Sequence, residues 1–143
     1  MSLTRKAALG VVACTAGALL SGGAGTANAA PDYYGAIAVS FDAAGYLHAS
    51  AASNYPSQDE ADAAALSGCD FQPCDVQVRY VNSCAAIAAR GMDYWAGKGR
   101  SRSDAIAKAM SATGPDPNPV LVGLGSSQPS SARLIGSDCA DGS

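Results

Sequence analysis

Apolar residues recur at every second position in two stretches of this chain, and this spacing predicts β-strands. The positions are Val76, Val78 and Tyr80 in the first stretch, and Val120, Val122 and Leu124 in the second. An alanine-rich stretch precedes each of them, at residues 57–66 and 101–110. Both alanine-rich stretches begin with serine followed three residues later by an acid, which is typical of a capped helix start.

The two stretches belong to segments that resemble each other, so the chain is predicted to carry an internal repeat. Residues 57–66 align with residues 101–110, and the alternating positions that follow stay in register. Upstream, GAIA at residues 35–38 matches AAIA at residues 85–88. The first copy runs from about residue 34 to 81 and the second from about 84 to 124, with a tail over residues 125–143.

Each copy has the predicted order strand, strand, helix, strand. Two such units predict an α+β fold, in which two short helices pack on one antiparallel sheet or on two packed sheets. The helices are mostly alanine on their inward side, which lets a helix lie close to a sheet.

Residues 1–29 have the pattern of a signal peptide. Two basic residues precede an uncharged run over residues 7–20, and Ala27 and Ala29 occupy the small-residue positions before a cleavage site. The run is shorter than the roughly 20 apolar residues that span a bilayer. We therefore predict cleavage after Ala29 and a single secreted, extracellular domain over residues 30–143, with no stable membrane insertion after cleavage.

Two alternatives to secretion in free form remain open. The N-terminal segment can stay uncleaved as an anchor. Alternatively, the chain can be lipidated at Cys14, because VVAC at residues 11–14 resembles a lipobox. Either alternative would hold the same domain at the cell surface.

Composition and charge narrow the class of partner. The chain has 143 residues, 15% of them charged, and a formal charge of −3. Seven of its nine basic residues, but all twelve acidic ones, lie in residues 30–143. Nucleic-acid binding by a broad basic surface is therefore not expected.

Four cysteines remain after residue 29, and an even number in an exported chain predicts two disulfides. Cys69 and Cys74 align with Thr113 and Asn118 in the second copy, so that copy lacks both cysteines together. This joint loss favours a bond between Cys69 and Cys74, which leaves Cys84 to pair with Cys139 and hold the tail.

Other pairings of the four cysteines stay possible from sequence alone. A metal site formed by Cys69, Cys74 and Cys84 is the competing interpretation. The exported context and the absence of a nearby histidine disfavour it, so we predict no metal and no cofactor.

Four motifs together resemble a family of small secreted bacterial proteins, the domain of unknown function 4189 family. They are YGAIA at residues 34–38, AALxxC at 64–69, CxVxV at 74–78 and NxCAAIA at 82–88. The resemblance covers about residues 33–124. It implies an exported, disulfide-bonded α+β domain, and it brings no reaction and no agreed catalytic residues.

Family members often keep a second cysteine pair where this chain has Thr113 and Asn118. The resemblance therefore implies a less rigid second copy. Pro115, Pro117 and Pro119 compensate in part by restricting the loop.

The candidate binding residues lie in and before one short loop. Lys98, Arg100 and Arg102 concentrate positive charge on an otherwise acidic chain, which favours an anionic partner such as a cell-wall polymer, a lipid headgroup or an acidic protein face. Tyr94 and Trp95 precede them, with rings that can stack on sugars or anchor an interface. The competing interpretations are a solvated loop for the cations and ordinary packing for the rings.

His48 is the single histidine of the chain, so any imidazole chemistry would use it. An acid such as Asp42 or Asp93 would be its partner in a small hydrolase acting on the cell wall. A strand histidine without a visible partner is more often a packed or surface residue. There is no G-x-S-x-G motif to supply a serine nucleophile.

We therefore predict a secreted, non-enzymatic interaction module. Its partner would be an unknown protein, which it would inhibit, or an anionic cell-envelope polymer. The contacts would be Tyr94, Trp95, Lys98, Arg100 and Arg102. The alternative is the hydrolase that uses His48. A purely structural domain is the third possibility.

Overall fold

The computed structural model describes residues 30–142. The predicted signal peptide, its cleavage site and Cys14 lie outside the described residues. The elements, in chain order, are β1 (Tyr34–Phe41), β2 (Leu47–Tyr55), α1 (Gln58–Ser67), β3 (Cys74–Val81), β4 (Cys84–Arg90), β5 (Asp93–Gly99), α2 (Arg102–Ala112), α3 (Pro119–Gly123) and β6 (Arg133–Cys139).

The strands form two three-stranded antiparallel sheets with the same arrangement. In the first sheet β1 lies between β2 and β3, and in the second β4 lies between β5 and β6. In each half the first strand is therefore the central one, and its hairpin partner and a later strand occupy the two edges. The α+β class and the antiparallel sheets predicted from sequence are confirmed.

Both main helices begin where the serine pattern predicts. Ser57 caps α1 by accepting a hydrogen bond from the backbone N–H of Glu60, and Ser101 caps α2 by accepting one from Asp104. These bonds satisfy amide groups that have no partner within the helix. The caps fix the first turn of each helix close to the end of the preceding strand.

The strand predicted over Val120–Leu124 is wrong. Pro119–Gly123 forms the short helix α3, and the third strand of the second sheet is β6, which lies in the predicted tail. Pro119 suits the first turn of a helix, where its missing N–H is not needed, but it cannot donate to a sheet. The free edge of β4 is filled instead by Arg133–Cys139.

The layers of the fold follow the order helix, sheet, sheet, helix. Because side chains alternate along a strand, β1 places Ile37 and Val39 between the two sheets and Ala36 and Ala38 beneath α1. β4 places Ile87 between the sheets, and the alanines on either side of Ile87 lie beneath α2. Both central strands are thus buried on both faces.

Each helix lies very close to its sheet because the contacts are made by alanine and glycine. Ala105 and Ala109 of α2 are fully buried above the second sheet. A Cβ atom added at Gly97 of β5 would collide with the backbone of both of them, and one added at Gly99 would collide with Asp104 and Ala105. The distance between α2 and β5 therefore depends on these two glycines.

Replacing Gly97 by Ala should lower the free energy of unfolding by about 3 kcal/mol, because the new methyl group meets helix backbone that cannot move aside. The matched control is Gly123→Ala, since a Cβ at Gly123 meets nothing within 4 Å. The control should change stability by less than about 0.5 kcal/mol. Urea denaturation of both variants checks this, and equal effects would contradict the close approach of α2.

Two disulfides join Cys69 to Cys74 and Cys84 to Cys139, which confirms the predicted pairing. The first bond connects the end of α1 to the first residue of β3. The second joins residues that are opposite each other on β4 and β6. The competing interpretation, a metal site of Cys69, Cys74 and Cys84, is excluded because all three cysteines are in disulfides.

Replacing Cys84 and Cys139 together by Ala should lower the free energy of unfolding by about 4 kcal/mol, against about 2 kcal/mol for Cys69 and Cys74 together. The reason is loop length, since the bonded residues are separated by 55 positions in one case and 5 in the other. Urea denaturation followed by circular dichroism measures both. An unchanged unfolding midpoint in strong thiol reductant would contradict a stabilising role for either bond.

An arginine holds the loop after α2. The guanidinium of Arg90, at the end of β4, donates to the carbonyl oxygens of Thr113 (2.9 Å), Gly114 (2.9 Å) and Pro115 (2.6 Å). Thr113 occupies the position that aligns with Cys69 in the first half. Arg90 therefore fixes the loop after α2 by hydrogen bonds. In the first half, the Cys69–Cys74 disulfide fixes the corresponding loop after α1.

Candidate functional site

A basic groove lies where the chain crosses from the first sheet to the second, between β3 and β4. It has a volume of about 490 Å³. Its walls come from the start of α1, the end of β3, the end of β5 and the first two turns of α2. The lining residues are Gln58, Arg79, Tyr80, Val81, Ser83, Lys98, Gly99, Arg100, Asp104 and Lys108.

Four of the seven basic residues after residue 29 line this basic groove, against one acid, Asp104. Arg79 Nε donates to Asp62 on α1 (2.7 Å), and Lys98 Nζ donates to the carbonyl of Arg79 (3.4 Å). The guanidinium of Arg100 makes no hydrogen bond or ion pair within residues 30–142, although its charge contributes to lowering the pKa of Asp104. Arg100 is therefore the cation most available to an incoming anion.

Asp104 belongs to the wall of the basic groove and organises it. Its carboxylate accepts from Lys108 Nζ (3.1 Å) and from the backbone N–H of Arg100 (3.3 Å). Lys108 holds the pKa of Asp104 below its usual range, so this carboxyl is ionised at neutral pH. Arg79 is paired with Asp62 and Lys108 with Asp104, so the excess positive charge of the groove comes from Lys98 and Arg100.

Arg102 does not line the basic groove, although it shares a neighbouring cavity with Arg100. Arg102 Nη1 donates to the carbonyl of Ser137 on β6 (2.6 Å), and Nη2 lies 3.7 Å from Asp138. These contacts tie the start of α2 to the last strand. Arg102 lines a neighbouring cavity that also contains Asp138 and Asp141, and not the basic groove.

Tyr94 and Trp95 do not line the basic groove either. Tyr94 packs on the core between the sheets, with its ring centroid 6.3 Å from that of Phe41. Trp95 is on the opposite face of β5 from Lys98, because residues alternate along the strand. The structure thus brings together two of the five predicted binding residues, Lys98 and Arg100.

Sequence reasoning missed Arg79 and Lys108, which complete the basic groove. Lys108 follows Asp104 by one helical turn, so the helical period was a usable indication that the two share a face. Arg79 comes from the other sheet. The proximity of Arg79 to the basic groove depends on how the two sheets pack, and no local sequence pattern predicts that packing.

A second cavity, which we call the hairpin cleft, lies at the opposite end of the strands. It has a volume of about 470 Å³ and is lined by Asp42, Tyr46, Leu47, His48, Ala49, Arg133, Leu134 and Ile135. It contains the histidine that the hydrolase alternative requires.

His48 is paired with Asp42 in the hairpin cleft. His48 Nε2 lies 3.1 Å from Asp42 Oδ2, and Asp42 Oδ1 accepts the backbone N–H groups of Tyr46 (2.8 Å) and Ala44 (2.9 Å). The bond from Tyr46 leads in holding the pKa of Asp42 below its usual range, with a smaller contribution from His48. Asp93, the other acid considered, lies opposite Arg90 in the register of β4 and β5 and does not line the cleft.

The Asp42–His48 pair orients the imidazole, which suits a general base. The cleft offers this base neither a hydroxyl or thiol side chain of Ser, Thr or Cys nor a second carboxyl group. No serine, threonine or cysteine is among the residues that line the hairpin cleft, and Asp42 is its only carboxyl group. The described part of the chain also has no cluster of three or more His, Cys, Asp or Glu residues able to hold a metal ion. The cleft can therefore bind and polarise a ligand, but its lining supplies no serine, threonine or cysteine nucleophile.

The two neighbouring arginines should differ in their effect on stability. Arg102→Ala should lower the free energy of unfolding by about 1.5 kcal/mol, because it removes charged hydrogen bonds between α2 and β6. Arg100→Ala should change it by less than about 0.5 kcal/mol. Urea denaturation of the two variants tests this, and equal losses would show that Arg100 is also a structural residue.

Comparisons with known proteins support the family and leave the activity open. The family model described as "Domain of unknown function (DUF4189)" matches residues 34–116. A search of curated proteins finds no match.

One solved structure is similar to this chain. It is the NMR structure of Rv1813c from Mycobacterium tuberculosis, with 21% sequence identity over 96% of this chain and 98% of that chain and a TM-score of 0.45. A similarity of this degree carries no information on function. Within residues 30–142, no helix is long and apolar enough to cross a membrane.

Proposed function

The chain belongs to the DUF4189 family, whose function is not known, and we propose that it is a secreted, non-enzymatic interaction module that binds an anionic cell-envelope polymer in the basic groove. The observation that carries the proposal is the gathering of Arg79, Lys98, Arg100 and Lys108 at one groove of an otherwise acidic chain.

Secretion is supported by three features. Residues 1–29 have the composition of a signal peptide, the two disulfides suit an oxidising compartment, and the described residues contain no membrane-spanning helix. Such a domain would meet the polymers of the cell envelope as soon as it leaves the cytoplasm.

The charge distribution favours a polyanion over an uncharged partner. Exposed charges act over roughly 8–10 Å at physiological salt, so Lys98 and Arg100 act together on an incoming anion, whereas Arg79 and Lys108 contribute less because Asp62 and Asp104 are paired with them. The groove has a volume of about 490 Å³ and is lined by residues of both halves of the chain, which gives a polymer segment several contacts at once. An acidic protein face is the other partner considered, but a groove suits a linear polymer better than a flat face.

The proposal predicts that Arg100→Ala weakens binding of the secreted domain to soluble polyphosphate about tenfold, because it removes the cation that makes no hydrogen bond or ion pair within residues 30–142. The charge-matched control is Arg133→Ala, which also removes one positive charge but lies in the hairpin cleft. It should change the affinity less than twofold. Isothermal titration calorimetry at several salt concentrations measures both, with neutral dextran as the uncharged probe.

Equal losses for the two arginine variants would show attraction by net charge alone and contradict a groove site. Binding of dextran as tight as that of polyphosphate would contradict an anion-specific function. Absence of any polyphosphate binding at low salt would remove the polymer as the partner and leave the protein partner.

The hydrolase alternative is favoured by one observation, the Asp42–His48 pair. An imidazole held by a carboxylate can activate water. Cleavage of a glycan commonly uses two carboxyl groups, and Asp42 is the one carboxyl group that lines the hairpin cleft. We therefore place the hydrolase second to the interaction module.

A further inference from the structure

The exposed apolar side chains are concentrated at the end of the molecule that carries the β1–β2 and β4–β5 turns. Tyr46 is 60% exposed and Met92 71% exposed, and each lies at one of the two turns. Phe41, Phe71 and Leu134 are each more than one-third exposed at the same end. Single exposed apolar residues are normal on protein surfaces, but a group of them around a cavity marks a binding surface.

Two of these side chains bound the hairpin cleft directly, and a third contacts its histidine. Tyr46 and Leu134 line the cleft, and the ring of Phe71 lies 4.7 Å from the imidazole of His48. The cleft therefore combines exposed aromatic rings with a small set of polar groups. Its volume of about 470 Å³ is within the usual range of ligand sites, roughly 300–1,000 Å³.

The polar groups of the cleft are fixed before any ligand arrives. Asp42 Oδ1 accepts two backbone N–H groups and Asp42 Oδ2 faces His48 Nε2, so the neutral imidazole carries its proton on Nε2. Its Nδ1 atom is then a hydrogen-bond acceptor, and it has no protein partner within residues 30–142. Arg133 supplies donors on the other side of the cleft and has no acidic partner in the same part of the chain.

From this arrangement we infer that the hairpin cleft binds an uncharged saccharide. A sugar ring has an apolar face of C–H groups that stacks on an aromatic ring, and its hydroxyl groups both donate and accept hydrogen bonds. Tyr46 provides the ring, His48 Nδ1 an acceptor and Arg133 the donors, and Phe71 packs against the imidazole without lining the cleft. The lining contains one acid, Asp42, and one arginine, Arg133, so the cleft lacks the surplus of cations that the basic groove has.

This site is separate from the basic groove, because the two cavities lie at opposite ends of the strands and share no lining residue. The inference thus goes beyond the proposed function and does not depend on it. Together the two sites would allow one domain to hold a glycan at one end and an anionic polymer at the other.

The test is an NMR titration of the ¹⁵N-labelled secreted domain with three neutral oligosaccharides, namely chitotriose, cellotriose and maltotriose. At least one should shift the amide signals of residues 42–49 and 133–135. Tyr46→Ala should weaken that binding at least tenfold, whereas Tyr46→Phe, which keeps the ring, should change it less than threefold. Arg133→Ala should weaken it as well, and Arg100→Ala in the basic groove should leave it unchanged.

Tyr46 is exposed and supports Asp42 only through its backbone, so Tyr46→Ala should fold normally, and its spectrum verifies this. Failure of all three sugars to bind at millimolar concentration would overturn the inference, as would shifts confined to residues 98–104. Equal binding by Tyr46→Ala and the unchanged domain would overturn the stacking role. Release of reducing ends that is lost in His48→Ala would support the saccharide site and overturn the non-enzymatic function.

Discussion

The close approach of each helix to its sheet is the constraint on which the rest of this structure depends. Gly97 and Gly99 leave room for the backbone of α2, and alanines fill the contact on both sides. Since these glycines face α2, the alternation of the strand directs Lys98 to the opposite face of β5, where its ammonium group reaches the carbonyl of Arg79 on the other sheet. The packing of small residues therefore places a cation at the crossing between the sheets.

The two halves hold the loop after their helix by different means. In the first half a disulfide joins Cys69 to Cys74, and in the second the guanidinium of Arg90 binds three successive carbonyl groups. Carbonyls at the end of a helix need partners, and Arg90 supplies them after α2. Asp116 continues this anchoring by accepting the backbone N–H of Asn118 and of Ser130, and the first of these bonds leads in lowering the pKa of Asp116.

Much of the fold could be predicted from sequence because its determinants are local. The serine caps, the alanine-rich helices and the joint absence of two cysteines in the second half each act within a short segment, and they led to the correct helices and disulfides. β6 could not be predicted, because its position depends on the free edge of β4 and not on its own alternation. The Val120–Leu124 pattern misled because it is short and follows Pro119, which favours a helix start.

The candidate site was predictable only in part, because tertiary packing and not local sequence brings some of its residues together. Lys98 and Arg100 belong to one loop and were found together, but the loop does not reveal that Arg102 turns toward Ser137 on β6. Arg79 reaches the basic groove from the other sheet, so its contribution depends on tertiary packing. Asp42 was one of the two acids considered as a partner for His48, and the structure places both residues at the β1–β2 hairpin.

Under the proposed function, the fixed wall of the basic groove makes one cation, Arg100, more important for binding than the others. Burial raises the pKa of Tyr80, so its hydroxyl remains a donor, and it bonds the carbonyl of Ala52 and the carboxylate of Asp138. Asp138 also faces Arg102, which links β3, β6 and α2 behind the groove. A wall fixed in this way has little conformational freedom left to lose on binding. A ligand therefore gains most from the group that makes no hydrogen bond within residues 30–142. With Arg79 and Lys108 already held by carboxylates, that group is the guanidinium of Arg100.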